Sequence, residues 1–288
     1  MRVRQVPVPD LGHIDGKAWV DQQRRPYVSD GVAYVPVRDG YACEQVLPRR
    51  APYTGRGFYL VGTIAVLQGT EPTDAETAAI QAWKNPSGIL WIRSYRGAER
   101  IPDVRVMAGK SGEVCHRELG ISYYLDPAQV MFSQGNRSEK IRMMQVTGEG
   151  ERVADMFAGI GYFTLPVARA GGRVHAMEKN PVAFRYLEKN IAANRLEDRV
   201  TAGCGDCRDL LDGRYDRIIM GHFDAPLMLD HAISHTRPGG TIHLHAAGAR
   251  PPLLPEGVPG SLCEAGTMRR IKKVAPHRWH YVLDVRVR

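Results

Sequence analysis

Over the first fifty residues apolar and polar positions alternate in short stretches, as in Val32-Ala33-Tyr34-Val35-Pro36-Val37. This predicts a β-rich segment over residues 1–52. Arg49-Arg50-Ala51-Pro52-Tyr53-Thr54-Gly55 reads as a linker. The apolar run at 58–67 predicts one strand. Residues 73–83 predict a helix, opened by Thr73 and Glu76 in a Thr-x-x-Glu capping box. Residues 89–126 alternate in strand fashion, so 53–146 is expected to form a small α+β domain. The rhythm changes after residue 147. Short apolar strands at 152–155, 173–178, 200–202, 216–220 and 241–245 alternate with helical stretches beginning near Phe163 and Pro181. That alternation implies βαβ units and a parallel sheet. The stretches 271–274 and 281–287 flank Ala275-Pro276-His277 with no helix between them, which predicts a closing antiparallel hairpin.

A parallel sheet finished by an antiparallel hairpin is the layout of AdoMet-dependent transferases. The expected fold class is therefore α/β: a Rossmann-like class I transferase domain over 147–288 with a C-terminal antiparallel hairpin, preceded by the small α+β domain. Ligands of open α/β sheets sit at the carboxyl ends of the strands. After the first of these strands comes Asp155-Met156-Phe157-Ala158-Gly159-Ile160-Gly161-Tyr162-Phe163. Gly159 and Gly161 allow a tight turn and a close backbone approach to a ligand. A dinucleotide fingerprint wants a small residue three positions after Gly161, where Thr164 stands, and Asp155 would repel a pyrophosphate. An acid there suits a cationic ligand such as AdoMet. Glu178 ends the second strand, at the position that bonds a ribose diol, and Asp206 follows the third, where it can accept from an adenine amino group. Three acids at successive strand ends form a candidate nucleoside site, against the plainer reading of three caps or turn residues.

Other side chains change the picture less. Cys204 and Cys207 make a lone Cys-x-x-Cys without the further ligands that zinc needs, so no metal is expected. His243 and His245 share one strand face, as a metal pair or, more in keeping with a sheet end, as packed histidines. With 43% hydrophobic and 24% charged residues, the 288-residue chain has ordinary globular composition. Five cysteines fit reduced thiols in a cytoplasmic protein. No apolar run reaches 18 residues and Met1–Gln5 begins no apolar signal segment, so no membrane association is expected. Lys+Arg exceed Asp+Glu by 39 to 31, a net charge of +8, which favours a polyanionic partner. Candidate RNA contacts pair basic with aromatic side chains: Arg24, Arg25 and Tyr27; Arg49, Arg50, Tyr53 and Arg56; Arg93, Tyr95 and Arg96; Arg269, Arg270, Lys272 and Lys273.

The Asp155–Phe163 stretch and Glu178-Lys179-Asn180-Pro181 resemble the signature of the tRNA guanine-37 methyltransferase and wybutosine-synthesis protein superfamily. Phe132-Ser133-Gln134-Gly135-Asn136 with Glu139 and Arg142, and Ala275-Pro276-His277, are similar too. The resemblance covers roughly residues 55–288. It implies AdoMet as cofactor, held by Asp155, Phe157, Ala158, Gly159, Gly161, Glu178, Lys179, Asn180, Asp206 and Cys207, with Ser133, Asn136, Glu139 and Arg142 framing the methionine arm. It implies tRNA as substrate. The methyltransferase branch carries an Asn-(Leu/Pro)-Pro motif after the fourth strand; here Gly221-His222-Phe223-Asp224-Ala225-Pro226 stands instead. That branch also tends to place an Arg after Phe-Ser, where this chain has Gln134-Gly135-Asn136. Both departures resemble the archaeal branch whose members transfer the 3-amino-3-carboxypropyl group of AdoMet to carbon 7 of 4-demethylwyosine in tRNA-Phe. On that reading the chain is a monomer that meets the anticodon stem-loop, and His222 and Asp224 contact substrate or handle the displaced proton. A tRNA guanine-N1 methyltransferase, a catalytically silent RNA-binding protein and a NAD-dependent dehydrogenase are the alternatives, the last two disfavoured by the three acids and by Thr164.

Overall fold

The computed structural model describes residues 1–14, 16–29, 32–47, 52–97, 99–254 and 261–288. The chain forms two compact units, Met1–Thr54 and Gly55–Arg288. In the first, β1 (Arg2–Pro7), β2 (Tyr27–Ser29), β3 (Val32–Pro36) and β4 (Gln45–Val46) make an antiparallel sheet of order β2-β3-β1-β4. The inward residues of β1 and β3, Val3, Ala33 and Val35, are buried, as their alternation predicts.

The second unit opens with β5 (Tyr59–Val61), β6 (Ile64–Gln68), α1 (Asp74–Lys84), β7 (Gly88–Arg96) and β8 (Ile101–Gly109), in a four-stranded sheet of that strand order. The 58–67 run is thus a hairpin rather than one strand. Gly62 turns it at φ +55°, and a Cβ there would lie 2.8 Å from the Cys115 carbonyl oxygen. The capping box forms: Thr73 accepts from the Glu76 N–H while Glu76 accepts from the Thr73 N–H. A separate hairpin, β9 (Val114–Glu118) and β10 (Ile121–Leu125), leads to α2 (Arg137–Val146).

There follow β11 (Arg152–Asp155), α3 (Thr164–Arg169), β12 (Arg173–Glu178), α4 (Pro181–Ala193), β13 (Val200–Cys204), α5 (Cys207–Leu210), β14 (Tyr215–Met220), α6 (Leu229–Ser234), β15 (Thr236–Gly248), β16 (Cys263–Ala275) and β17 (Arg278–Val287). Their seven-stranded sheet has the order β13-β12-β11-β14-β15-β17-β16. β11 to β15 run parallel and β17 enters antiparallel between β15 and β16. This is the expected Rossmann-like sheet with a closing hairpin, whose strands are longer than the apolar pattern alone outlines. The strand order reverses between β11 and β14, so the loops after these two strands flank the ligand-binding crevice.

The expected boundary at 146/147 is not a boundary between cores. Val61, Ile64, Leu90, Ile121 and Leu125 share one buried cluster with Val153, Ile160, Leu165 and Leu187. Among the described residues no helix is long and apolar enough to cross a membrane.

Candidate active site

The glycine turn is built as the sequence predicts. Gly159 and Gly161 sit at φ +57° and +100°, in the left-handed region. A Cβ at Gly159 would meet the Tyr162 ring at 2.5 Å, and one at Gly161 would meet Leu165 and Leu187 at 2.8 and 3.2 Å. These glycines therefore serve the packing of the loop as well as its turn. Glu178 clasps the loop from the next strand end. One carboxylate oxygen accepts from the Gly159 N–H and the other from the Asn180 N–H, both at 2.7 Å. Burial raises the Glu178 carboxyl above its ordinary range against those N–H bonds. Asn180 caps α4, accepting from Val182 and Ala183. Ala158 donates its N–H to Met177, and Phe157 stacks on His222 at 5.5 Å.

Asp155 is buried beneath the loop. It accepts from Thr164 Oγ1 at 2.7 Å and from the Phe157 N–H at 3.4 Å, and burial pushes its carboxyl up to about 6. Thr164, which displaced the dinucleotide reading, is thus the partner of Asp155. Asp206 caps α5 and is gripped by the Arg208 fork at 2.8 and 2.9 Å and by Lys179 at 3.4 Å, which holds it well below the usual carboxylate range.

A cavity of about 550 Å³ opens in the second unit beside the loop after β14. Its walls are Tyr59, Gln68 and Tyr95 of the four-stranded sheet, Arg100 of the turn between β7 and β8, Ser133, Gly135 and Asn136 of the segment before α2, Gly221–Phe223, and Lys272, Lys273 and His280 of the closing hairpin. Arg100 spans two aromatic faces, its guanidinium 5.3 Å from the Tyr95 centroid and 5.4 Å from that of Phe223. Flat cation and ring surfaces of this kind suit a stacked nucleobase. Lys272 donates to Ser133 Oγ at 2.7 Å, and burial together with the Arg100 and Lys140 charges brings its ammonium down to about 8. Asn136 Oδ1 is buried without a hydrogen-bond partner among the described residues. A cation and an orphaned polar atom both point to a polar ligand.

Several expected site residues lie elsewhere. Glu139 and Arg142 do not frame this cavity. Arg142 binds Glu139 bidentately at 2.5 and 2.9 Å and reaches Asp284 at 3.2 Å, so its guanidinium is not available to a ligand carboxylate. The network continues through His243, which bonds Asp284 at 2.7 Å and Arg217 at 2.6 Å. His243 is accordingly held in this buried network, His245 bonds His280 instead, and no group of three or more potential metal ligands occurs among the described residues. Cys207 faces the core, its thiol 3.7 Å from the Met228 sulfur and raised by burial to about 11, so its side chain is not a ligand contact. Asp224 is 58% exposed and lies off the cavity wall, and its N–H is accepted by His222 Nδ1 at 3.1 Å. Of the RNA candidates, Arg56 is tied to backbone carbonyls and to Glu76, whereas Arg93, Tyr95, Lys272 and Lys273 line the cavity, and Arg49 and Arg50 lie outside the described residues. Sequence reasoning missed Tyr59, Gln68, Arg100 and His280. A strand-register argument could have found the last, because Lys272 and His280 are direct cross-strand partners.

Comparison with known proteins supplies the family. The model of the TRM5/TYW2 methyltransferase domain matches residues 114–277, more than half of the chain. A tRNA(Phe) (4-demethylwyosine(37)-C(7)) aminocarboxypropyltransferase of Methanocaldococcus jannaschii is 33% identical over 245 residues, 81% of this chain and 98% of that protein. The tRNA (guanine(37)-N(1))-methyltransferase Trm5b of Pyrococcus abyssi is 33% identical over 253 residues, 80% of this chain and 74% of that protein. The crystal structure of Pyrococcus horikoshii TYW2 in complex with MeSAdo superposes with a TM-score of 0.67 at 31% identity, covering 81% of this chain and 91% of that one. With the glycine turn, the clasping glutamate and the closing hairpin all in place, the chain belongs to the TRM5/TYW2 methyltransferase-domain family.

Proposed function

We propose that the chain transfers the 3-amino-3-carboxypropyl group of AdoMet to carbon 7 of 4-demethylwyosine beside the anticodon of tRNA-Phe and releases 5′-methylthioadenosine. The relatives from Methanocaldococcus jannaschii and Pyrococcus horikoshii support this reading. The residues fit AdoMet. Glu178 has its oxygens ordered for a ribose diol, and Asp206 stands at the next strand end for the adenine. Glu178 clasps the loop 157–161 through the Gly159 N–H, and Asp155 places negative charge beneath that loop. Bound there, AdoMet supplies a sulfonium with three electrophilic carbons, and the one held in line with the nucleophile is transferred.

The observation that carries the choice of carbon is Lys272. It is a desolvated ammonium inside the cavity that would admit the base, and among the described residues lining that cavity there is no carboxylate. An anion is wanted there, and the methionine α-carboxylate is one. With the carboxylate on Lys272, Ser133 and Asn136 lie alongside the arm. The arm then runs into the cavity and presents its γ-carbon to the base, in place of the methyl group. Tyr95, Arg100 and Phe223 supply stacking surface for a tricyclic base.

The methyltransferase reading stays in play because Trm5b is as similar in identity as the Methanocaldococcus protein. Incubation with AdoMet and tRNA bearing 4-demethylwyosine separates the two. The expected products are 5′-methylthioadenosine and tRNA carrying label from the AdoMet carboxyl carbon. S-adenosylhomocysteine with methyl label in the tRNA would overturn the proposal.

A further inference from the structure

The proposed transfer leaves a proton to be removed. Attack on the γ-carbon forms the C7–Cγ bond and breaks the Cγ–S bond, whose electron pair stays on sulfur in methylthioadenosine. The alkylated ring then carries both its original hydrogen and the new substituent at carbon 7, with a positive charge. Aromaticity returns when the C7–H pair goes back to the ring and the proton passes to a base. The acceptor must be found among the groups that line the cavity.

Elimination leaves few. None of the described residues lining the cavity is an Asp or a Glu. Lys272 donates to Ser133 and is needed as a cation. The phenols of Tyr59 and Tyr95 are raised above their ordinary values by burial, so neither is an anion near neutral pH. His222 accepts the Asp224 N–H on Nδ1, which places its ring proton on Nε2. With Nδ1 engaged and the proton on Nε2, the His222 ring presents no bare nitrogen to the base.

His280 is built differently. It lies on β17, directly opposite Lys272 on β16, and its Nε2 is 3.0 Å from Nδ1 of His245 on β15. His245 is the diagonal neighbour of His280 across the β15–β17 pair. Both imidazoles are buried, and the second nitrogen of each, Nδ1 of His280 and Nε2 of His245, has no hydrogen-bond partner among the described residues. A buried dyad with an orphan nitrogen at each end costs stability, and such orphans mark groups kept for another purpose. When His280 donates its Nε2–H to His245, its Nδ1 is a bare acceptor. Phe223 packs edge-to-face on the His280 ring at 5.2 Å and Phe163 on His245 at 5.2 Å, so the pair is held in one orientation.

We propose that His280 is the base that takes the carbon 7 proton on Nδ1 and that His245 is the positioning residue that holds the reactive tautomer. The proposal rests on the aminocarboxypropyl transfer argued above. Burial and the Lys272 charge hold His280 down to about 4, so the ring is neutral and ready to accept at physiological pH. A weak base is adequate, because a protonated ring carbon with restored aromaticity in prospect is a strong acid.

Three measurements test this, after the wild-type protein has been shown to release methylthioadenosine; if it does not, the functional reading fails and the dyad is not in question. Nitrogen-15 NMR of the ligand-free protein should show His280 protonated on Nε2 and bare on Nδ1, a pattern lost in His245→Asn. A proton resident on Nδ1 would overturn the assignment without any turnover being needed. His280→Gln should bind AdoMet with wild-type affinity and lose about a hundredfold in kcat. With substrate deuterated at carbon 7 a primary isotope effect should appear that the wild type lacks. His280→Ala should regain activity with added imidazole, and His245→Asn should lower kcat with KM unchanged. Wild-type kcat in His280→Gln, or a loss with neither isotope effect nor imidazole rescue, would reduce the pair to packed core histidines.

Discussion

Asp155 was legible as a site residue from its place after β11, but its protonation was not, because that depends on how completely the loop covers it. Thr164 donates to it, yet burial dominates and raises its carboxyl to about 6. A carboxyl whose folded pKa lies above its unfolded value favours the fold most when protonated. That contribution is present below the unfolded value near 4 and is lost as pH rises through about 6. Asparagine resembles the protonated acid and keeps one acceptor for Thr164. Without cofactor, Asp155→Asn should therefore match the wild type in thermal stability near pH 4 to 5 and exceed it above pH 6, while binding AdoMet more weakly. A variant less stable than the wild type at pH 8 would show that the ionised carboxylate is welcome in the fold. Arg142 makes the complementary point. Its motif position suggested a ligand contact, but its partner Asp284 lies 142 residues away, and no local pattern announces such a pairing. Lys272 reads from the sequence as an RNA contact for the same reason: the chain shows a basic pair, and only the register of β16 on β17, which sets Lys272 opposite His280, shows its place in the cavity.

At the level of elements, the alternation of strands and helices after residue 147 was readable because β11, β12 and β14 are short apolar runs in a sheet covered on both faces, bounded by the glycine turn and by Asn180-Pro181. The same property hid the β5–β6 hairpin. Ile64, Ala65, Val66 and Leu67 are all buried, so the period of two vanishes and two strands read as one. The outer half of β16, Glu264 to Met268, escaped notice because it is an exposed edge with no apolar alternation. The docking of β10 on α4 was equally invisible, since it depends on two asparagines, one inside the helix and one at its C-terminal cap. Asn194 exchanges hydrogen bonds with the backbone of Ser122 at 2.9 and 2.8 Å. Asn190, fully buried, accepts from Tyr124 N–H at 2.6 Å and donates to the carbonyls of Tyr124 and Ile160 at 3.1 and 3.0 Å. It therefore ties the β9–β10 hairpin and the glycine turn to one helix. Asn190→Leu, similar in size and a better helix former, should still cost at least about 2 kcal/mol, because it strands one buried N–H and two carbonyls. Denaturant unfolding at constant m-value measures it, and an unchanged midpoint would mean that water replaces the amide. AdoMet affinity should fall as well, through the loosened Ile160 backbone.

For the whole molecule the informative quantity is charge. The surplus of +8 was plain in the composition, but its placement was not. Many of the arginines are engaged in structure: Arg142 and Arg217 in the buried network, Arg56 on backbone carbonyls, Arg208 on Asp206, Arg237 on Asp216. The edge strand β16 keeps Arg270 and Lys273 exposed on the rim of the hairpin, where Lys273 also borders the cavity that Lys272 and His280 line. Arg270 lies 4.3 Å over the Trp279 ring, a cation and an aromatic face held together as single-stranded RNA favours. An anticodon loop delivering its base into the cavity would bring its phosphates past this rim. Binding of tRNA should therefore weaken as salt rises. In the double variant Arg270→Ala, Lys273→Ala, the slope of log affinity against log salt should flatten by roughly one for each phosphate contact removed. AdoMet affinity should change much less than tRNA affinity, because Lys272, the partner proposed for the methionine carboxylate, remains in place. Filter-binding titrations of the anticodon stem-loop across a salt series give the slope directly. A slope identical to that of the wild type would place the RNA on another face, and a tRNA affinity independent of salt in the wild type would remove the support that the charge surplus lends to an RNA substrate.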